Sequence, residues 1–250
     1  MYMRFIFVKR INTEQNSIFY SLIMKNNEII GFGRKHYGKS SIKIIKLNKN
    51  FDIIEDNNII LKGEDPRCFS YNHKIYILNN QFSDMALIDY ESKEYTKIDI
   101  RGKNISFLNH NNKLYFIHYI KPFKLYFFDK KNNTIIRQEV DDDNNNYNYE
   151  YRGGTPGYKL NNNTYYGFGH RTYHKDKILK HDIFKWIVYF DKKLPRISHF
   201  NIEQPKNSKN ICDPTCVIHI NNKKYLITAE TDEHWFLDQD YVTNVYEIKE

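Results

Sequence analysis

The sequence has few cysteines. Cys68, Cys212 and Cys216 are its only three in 250 residues, too few for the disulfide framework of a small secreted domain. It also lacks any apolar run near the ~20 residues that a membrane-spanning helix needs. The stretch Met1-Tyr2-Met3-Arg4-Phe5-Ile6-Phe7-Val8-Lys9-Arg10 has an apolar centre too short for a signal peptide or a span, so a soluble, cytoplasmic chain is expected. The formal net charge is +8, yet the lysines are scattered and form no dense basic run. That pattern reads as a solvated basic surface rather than a nucleic-acid interface, with a local anion patch as the alternative. No window keeps a helical period of 3.6 residues. No glycine-rich loop opens a helix, so neither a P-loop nor a dinucleotide site is expected, and no cofactor is predicted.

What the chain has in quantity is Tyr (21) and Phe (17), together with Ile and Asn. Aromatic and β-branched residues favour strands, and Asn tolerates the positive φ of tight hairpin turns. One pattern recurs. An apolar strand leads through an Asn turn to a second strand of alternating apolar and aromatic residues, and then to a third strand often ending in Asp. Its turns are Lys25-Asn26-Asn27-Glu28, Tyr71-Asn72-His73-Lys74, Asn109 to Lys113, Asn161-Asn162-Asn163-Thr164 and Asn221-Asn222-Lys223. Five units of about 40–50 residues match the blades of a β-propeller. The prediction is all-β: a single five-bladed propeller of four-stranded antiparallel blades around a central funnel. The blades are expected near residues 1–60, 61–100, 101–145, 150–203 and 208–250. The alternative is an ordinary β-sandwich. Two segments depart from the repeat. The polar run Asp141 to Asn148 reads as a loop, and the Lys- and His-rich Tyr173 to Lys185 reads as an exposed loop or short helix.

Alignment of the units on their turns places Asp65, Asn104, Thr155 and Asp213 at equivalent strand mouths, with Glu64, Arg67, Lys103, Arg152 and Gly153-Gly154 beside them. Turn chemistry alone explains any one of these residues; their convergence points to a ligand funnel. Asp-Pro holds the Asp65 carboxylate in place, because Pro restricts the residue before it. Gly31-Phe32-Gly33-Arg34 and Gly167-Phe168-Gly169-His170 resemble each other, which supports repetition. Cys212 and Cys216, with His219 near, have a spacing that could pair on one strand face, but buried structural thiols are the simpler reading. Glu230, Asp232, Glu233 and His234 read as an acidic loop. No metal site is predicted.

Gly63-Glu64-Asp65-Pro66-Arg67 resembles the Glu-Asp-Pro-Arg motif of the inverting β-mannoside phosphorylases, which are five-bladed β-propeller enzymes. Lys103-Asn104-Ile105-Ser106-Phe107-Leu108 looks like their Arg-Asn motif. Arg152-Gly153-Gly154-Thr155-Pro156 followed by Tyr166 to His170 looks like their Gly/Pro-rich strand and its His-bearing partner. Asp213-Pro214-Thr215 followed by Tyr225 to Asp232 looks like the closing blade. The Lys-Asn and Arg-Gly-Gly-Thr-Pro versions are closer to β-mannosyltransferase-like relatives. The resemblance spans about residues 60–235 and implies Asp65 as general acid/base. It implies Glu64, Arg67, Lys103, Asn104, Arg152, Thr155, His170, Asp213 and Asp232 as substrate contacts. The partners it implies are a sugar donor (a sugar phosphate or nucleotide sugar) and a glycan acceptor. Lys103 stands where the family has a phosphate-binding Arg and lacks its bidentate fork, with Arg152, His170, Arg171 and His174 available to complete a basic pocket. Two-carboxylate hydrolysis would need a second carboxylate about 6.5–9.5 Å away, with Asp213 and Asp232 as candidates. The expected function is glycosyl transfer, by preference mannosyl, to or from phosphate or a sugar. The alternatives are a glycoside hydrolase and a non-catalytic carbohydrate- or protein-binding propeller.

Overall fold

Asn pairs set the register of the molecule. The computed structural model describes residues 3–13, 17–35, 41–80, 85–100, 102, 104–129, 131–132, 134–141, 150–232 and 241–250, with backbone alone for 57–60. Among them there are 21 strands and no helix. Both central residues of the turns at Asn26-Asn27, Asn72-His73, Asn111-Asn112 and Asn221-Asn222 have positive φ, the type I′ geometry that matches strand twist.

Each such turn joins the first two strands of an antiparallel group. The first group is β2 (Ser17–Lys25), β3 (Glu28–Lys35), β4 (Ser41–Leu47) and β5 (Ile53–Lys62). The second is β6 (Arg67–Tyr71), β7 (Lys74–Asn79), β8 (Ala86–Asp89) and β9 (Tyr95–Lys97). The third is β10 (Ser106–His110), β11 (Lys113–Tyr119), β12 (Lys124–Asp129) and β13 (Thr134–Gln138). The rest of the chain forms one nine-stranded sheet made of two parts. One part holds β14 (Tyr151–Arg152), β15 (Tyr158–Asn161), β16 (Thr164–Lys175), β17 (Ile178–Tyr189) and β18 (Arg196–Asn201). The other holds β19 (Ile211–Ile220), β20 (Lys223–Thr231) and β21 (Val242–Lys249), with β1 (Arg4–Ile11) paired antiparallel to β21. A single parallel bridge, His181 to Ile211, connects the two parts. The N-terminal strand, counted with the first unit in the sequence reading, thus completes the sheet of the C-terminal strands.

The segment from Tyr173 to Lys185 is neither loop nor helix. It extends β16 and β17 into a long hairpin, in register from Thr164–Tyr189 to Lys175–Ile178, around an Asp176-Lys177 turn with both φ positive. No Asn or Gly marks that turn, which is why the hairpin was not legible in the sequence. The polar run expected as a loop lies, from 142 on, outside the described residues.

The core is distributed between sheets. One apolar cluster packs Phe32 and Ile44 on Ile77 and Ile88, and another packs Phe69 and Leu78 on Phe107 and Phe116. A third packs Leu108 and Leu125 on Trp186 and Val188, and a fourth packs Phe168 and Ile183 on Val217, Leu226 and Phe5. The last packs Ile218 and Ile227 on Leu22, Ile29 and Ile45, which joins the C-terminal group to the first. The first strands of the groups are also bonded to one another. Cys68 N–H donates to Ser21 Oγ at 3.0 Å, Gly157 N–H to the Phe107 carbonyl at 2.6 Å, and Thr215 Oγ1 to the Tyr20 carbonyl at 2.5 Å.

Phe168 is fully buried and meets the edge of Phe5 at 6.0 Å. Truncation to Ala leaves a cavity between the two parts of the nine-stranded sheet and is expected to cost about 3–5 kcal/mol in urea denaturation. A loss under about 1 kcal/mol would mean that this packing carries little of the stability.

Candidate functional site

The mouths of the first strands share a backbone kink. Phe19, Asp65 and Asn104, each just before or within a first strand, have φ of 55°, 46° and 57°, a left-handed conformation that costs energy for non-glycine residues. Asp65 is held there by its own main chain, since the Asn80 amide donates to the Asp65 carbonyl at 2.9 Å. Its carboxylate, 8% exposed, accepts Arg34 Nη1–H at 2.9 Å, while Arg34 Nη2 lies 3.3 Å from Glu64 Oε2. One guanidinium fork therefore spans both acids of the Glu64-Asp65 pair, and the Glu64 N–H is fixed by the Asn79 side-chain oxygen at 2.8 Å.

Arg67 runs inward and is 1% exposed. Its Nε–H donates to the Gly154 carbonyl at 2.8 Å and its Nη1–H to the Pro66 carbonyl at 3.0 Å. Burial lowers its pKa, and the charges of Asp65 and Asp213 oppose that shift. Gly154 can meet Arg67 because the chain there passes between neighbours with no room for side chains. A Cβ on Gly153 would lie 2.4 Å from the Asn104 carbonyl oxygen, and one on Gly154 2.6 Å from the Pro214 oxygen. The Gly154 N–H is taken by Ser106 Oγ at 3.1 Å. The Gly-Gly segment thus ties together the mouths of the second, third and last groups.

On the far side, β16, β17 and β19 bring three side chains to one face. His181 Nδ1 lies 2.6 Å from Asp213 Oδ1 and His170 Nδ1 3.3 Å from the same oxygen. The two imidazoles stack with centroids 4.6 Å apart. Burial pushes the fully enclosed His170 down to about 3, so it is neutral near pH 7. Burial alone would raise the Asp213 carboxyl, but the adjoining imidazoles, the His181 hydrogen bond and the Arg67 charge hold it below the usual carboxylate range. An ionised Asp213 makes His181 the donor of that hydrogen bond. The three side chains offer donor atoms within 4.8 Å of one another, a set able to hold a metal ion.

The structure therefore gathers Glu64, Asp65, Arg67, Asn104, His170 and Asp213 around Gly153-Gly154. Other expected residues lie elsewhere. Thr155 is fully buried, and its hydroxyl is engaged internally, accepting the Phe168 N–H at 2.9 Å and donating to the Pro156 carbonyl at 2.9 Å. Arg152 is paired with His170 across β14 and β16, but its side chain is exposed. Asp232, with a side chain 57% exposed, accepts the Asn210 N–H at 3.1 Å and faces Lys209 at 3.6 Å. Arg171 pairs with Glu150 at 3.2 Å and His174 is exposed. The basic pocket expected from Arg152, His170, Arg171 and His174 is thus not assembled: one member is buried and neutral, and the others point outward. Lys103 lies outside the described residues. Two residues beyond the expected set prove central, Arg34 and His181. The repeat of Gly-Phe-Gly-Arg as Gly-Phe-Gly-His already placed Arg34 at the position equivalent to His170. Nothing marked His181, because its segment did not read as a strand.

Further along the same first strands, a cavity of about 390 Å³ opens among Leu22, Phe69, Phe107, Gly157, Tyr158 and Val217. A polar mouth is thus followed by an apolar chamber.

Arg34 is 15% exposed between two carboxylates. Arg34→Met removes the fork that spans both acids and is expected to lower stability by about 3 kcal/mol at neutral pH, with Arg34→Lys intermediate because Lys cannot fork. Urea denaturation checks this. A change within about 0.5 kcal/mol for Arg34→Met, the range of an ordinary surface site, would show that solvent screens the pairs.

No family model matches the sequence, and no curated protein sequence is similar to it. Solved structures do resemble the chain. The native Bacillus subtilis arabinanase Arb43A has a TM-score of 0.64 at 11% identity, covering 96% of this chain and 96% of that one. A GH43 endo-arabinanase from Bacillus licheniformis has 0.60 at 12%, covering 93% and 94%. A structure described with the GH130 family of mannoside phosphorylases, which contains glycoside hydrolases targeting β-1,2-mannosidic linkages in Candida mannan, has 0.63 at 10%, covering 92% and 84%. At such identities the likeness is one of fold: the chain shares the propeller-like, all-β architecture of these proteins.

Proposed function

We propose that the chain is a carbohydrate-active enzyme built as one five-bladed β-propeller, with β1 closing the last blade. The five apolar clusters support this architecture, because each draws on two neighbouring strand groups and one joins the last group to the first. The cavity lined by the first strand or mouth segment of all five groups supports a central funnel.

The reaction proposed is transfer of a glycosyl group, by preference mannosyl, to or from phosphate or a sugar acceptor, with Asp65 as acid/base. The observation that carries it is the convergence of Asp65 and Asp213 on the buried Arg67, beside Asn104 and the Gly-Gly segment. Arg34 holds the Asp65 carboxylate at this mouth, where an acid/base would exchange its proton with a bound hydroxyl. The same carboxyl, once protonated, donates in the reverse direction. The resemblance of Glu64-Asp65-Pro66-Arg67 to the β-mannoside phosphorylase motif, and the fold shared with a mannoside phosphorylase-family structure, favour a mannosyl donor such as a sugar phosphate or nucleotide sugar. A hydrolytic reading is favoured by Asp213, a second buried carboxylate held ionised, and by the arabinanases among the similar structures.

A donor and acceptor screen tests this. Mannose 1-phosphate, nucleotide-activated mannose and β-mannosides with inorganic phosphate are offered, and products are identified by mass. Turnover is expected, with Asp65→Asn reducing it about 10²–10⁴-fold while the fold is retained. Phosphate-independent release of free sugar would select the hydrolase. Glycan binding without turnover of any donor would remove the enzyme reading.

A further inference from the structure

We propose that His170, His181 and Asp213 form a zinc(II) site at the junction of β17 and β19. The residues reach one face by strand geometry. His170 lies opposite Ile183 and His181 opposite Thr172 in the β16–β17 ladder, so the two histidines sit two positions apart on the same side. The parallel bridge from His181 to Ile211 brings Asp213, two residues on, to that side as well.

The second observation is His170 itself. It is 1% exposed, yet among the described residues neither of its ring nitrogens has a hydrogen-bond partner. A buried polar group left in this state costs about 1–3 kcal/mol, and a bound cation would relieve it. Its Nδ1 stands 3.3 Å from Asp213 Oδ1. Donors about 2.0 Å from a tetrahedral ion are about 3.3 Å apart, so this edge already has the required length. The shorter His181 edge, 2.6 Å, is a hydrogen bond that the ion would replace. Binding displaces the His181 Nδ1 proton, which passes to the other ring nitrogen or to solvent. The donor atoms of the set are one carboxylate oxygen and two imidazole nitrogens. Two nitrogens and one oxygen select zinc over calcium or magnesium, which prefer all-oxygen shells. Three protein donors leave the fourth position to water or to an oxygen of a bound molecule.

Protein stripped with a chelator and titrated with zinc chloride by calorimetry should bind one ion per chain and melt at a higher temperature, whereas calcium chloride should not raise it. Cobalt(II) in place of zinc should give the visible absorption of a tetrahedral site. His170→Ala and His181→Gln should each weaken zinc binding about 100-fold or more, while His174→Ala, an exposed histidine in the same hairpin, should not. If His170→Ala does not fold, His181→Gln decides. No stoichiometric binding, or binding unchanged in His181→Gln, overturns the proposal and assigns any bound zinc to surface histidines. None of these readouts depends on turnover, so failure of the zinc site and failure of the glycosyl-transfer reading are separate results.

Discussion

The buried guanidinium of Arg67 is the constraint that the centre of the molecule satisfies. Removing such an ion from water costs several kcal/mol unless its donors and charge are met. Three separate stretches meet them: the Pro66 and Gly154 carbonyls accept its hydrogens, and Asp65 and Asp213 supply the charge. The consequences spread outward. Gly154 must bring its carbonyl inward, so the chain there runs where a Cβ would collide with neighbouring backbone. Asp65 and Asp213, which belong to different sheets, are drawn toward one point. The polar centre is thus a product of one desolvation problem solved by several strands.

The same device occurs twice, with a chemical difference. Gly-Phe-Gly-Arg places Arg34 against Asp65, which opens Asp-Pro-Arg-Cys. Gly-Phe-Gly-His places His170 against Asp213, which opens Asp-Pro-Thr-Cys. Even the thiols are used alike, Cys68 contacting Ser21 Oγ and Cys216 accepting the Leu22 N–H. Arginine stays charged at all working pH and forks, so the first pair is a fixed ionic clamp. Histidine buried beside Asp213 is neutral and keeps one nitrogen lone pair available. Where Arg67 extends toward Asp213, its counterpart Thr215 directs its hydroxyl to the Tyr20 and Ile227 carbonyls. The repeat supplies position, and substitution within the repeat makes one side rigid and the other receptive.

Local chemistry was legible in the sequence; long-range partnership was not. Asn26-Asn27 and Asn72-His73 announced their turns because few residue types accept two positive φ values in succession. Asp65, Asn104 and Asp213 announced the strand mouths because they recur at nearly one offset from those turns, the irregularity at Pro214/Cys216 adding one residue before the last. Thr155 fits the same offset, yet its hydroxyl satisfies Phe168 rather than the centre, because position in a repeat does not fix a rotamer. Asp232 shows the limit of a motif read along the chain, since it ends in an exposed turn with Asn210. The pairing of β1 with β21 joins the two ends of the chain, and no local pattern encodes such a contact.

The charge of the centre bears on what it can hold. Three carboxylates, Glu64, Asp65 and Asp213, meet two guanidiniums, Arg34 and Arg67, and His170 adds no charge near neutrality. Among the described residues these acids would suit a sugar ring that develops positive charge at its anomeric carbon, and they would oppose a phosphate placed between them. In the glycosyl-transfer reading the anion must then sit outside this cluster. Among the described residues Arg152 is a cation open to that role, being exposed and one residue from the contact of Gly153 with Asn104. The proposed zinc site would draw on the same acids, at Asp213, where two imidazoles already crowd one carboxylate oxygen. Both proposals therefore rest on one feature, two acids sharing the single charge of Arg67.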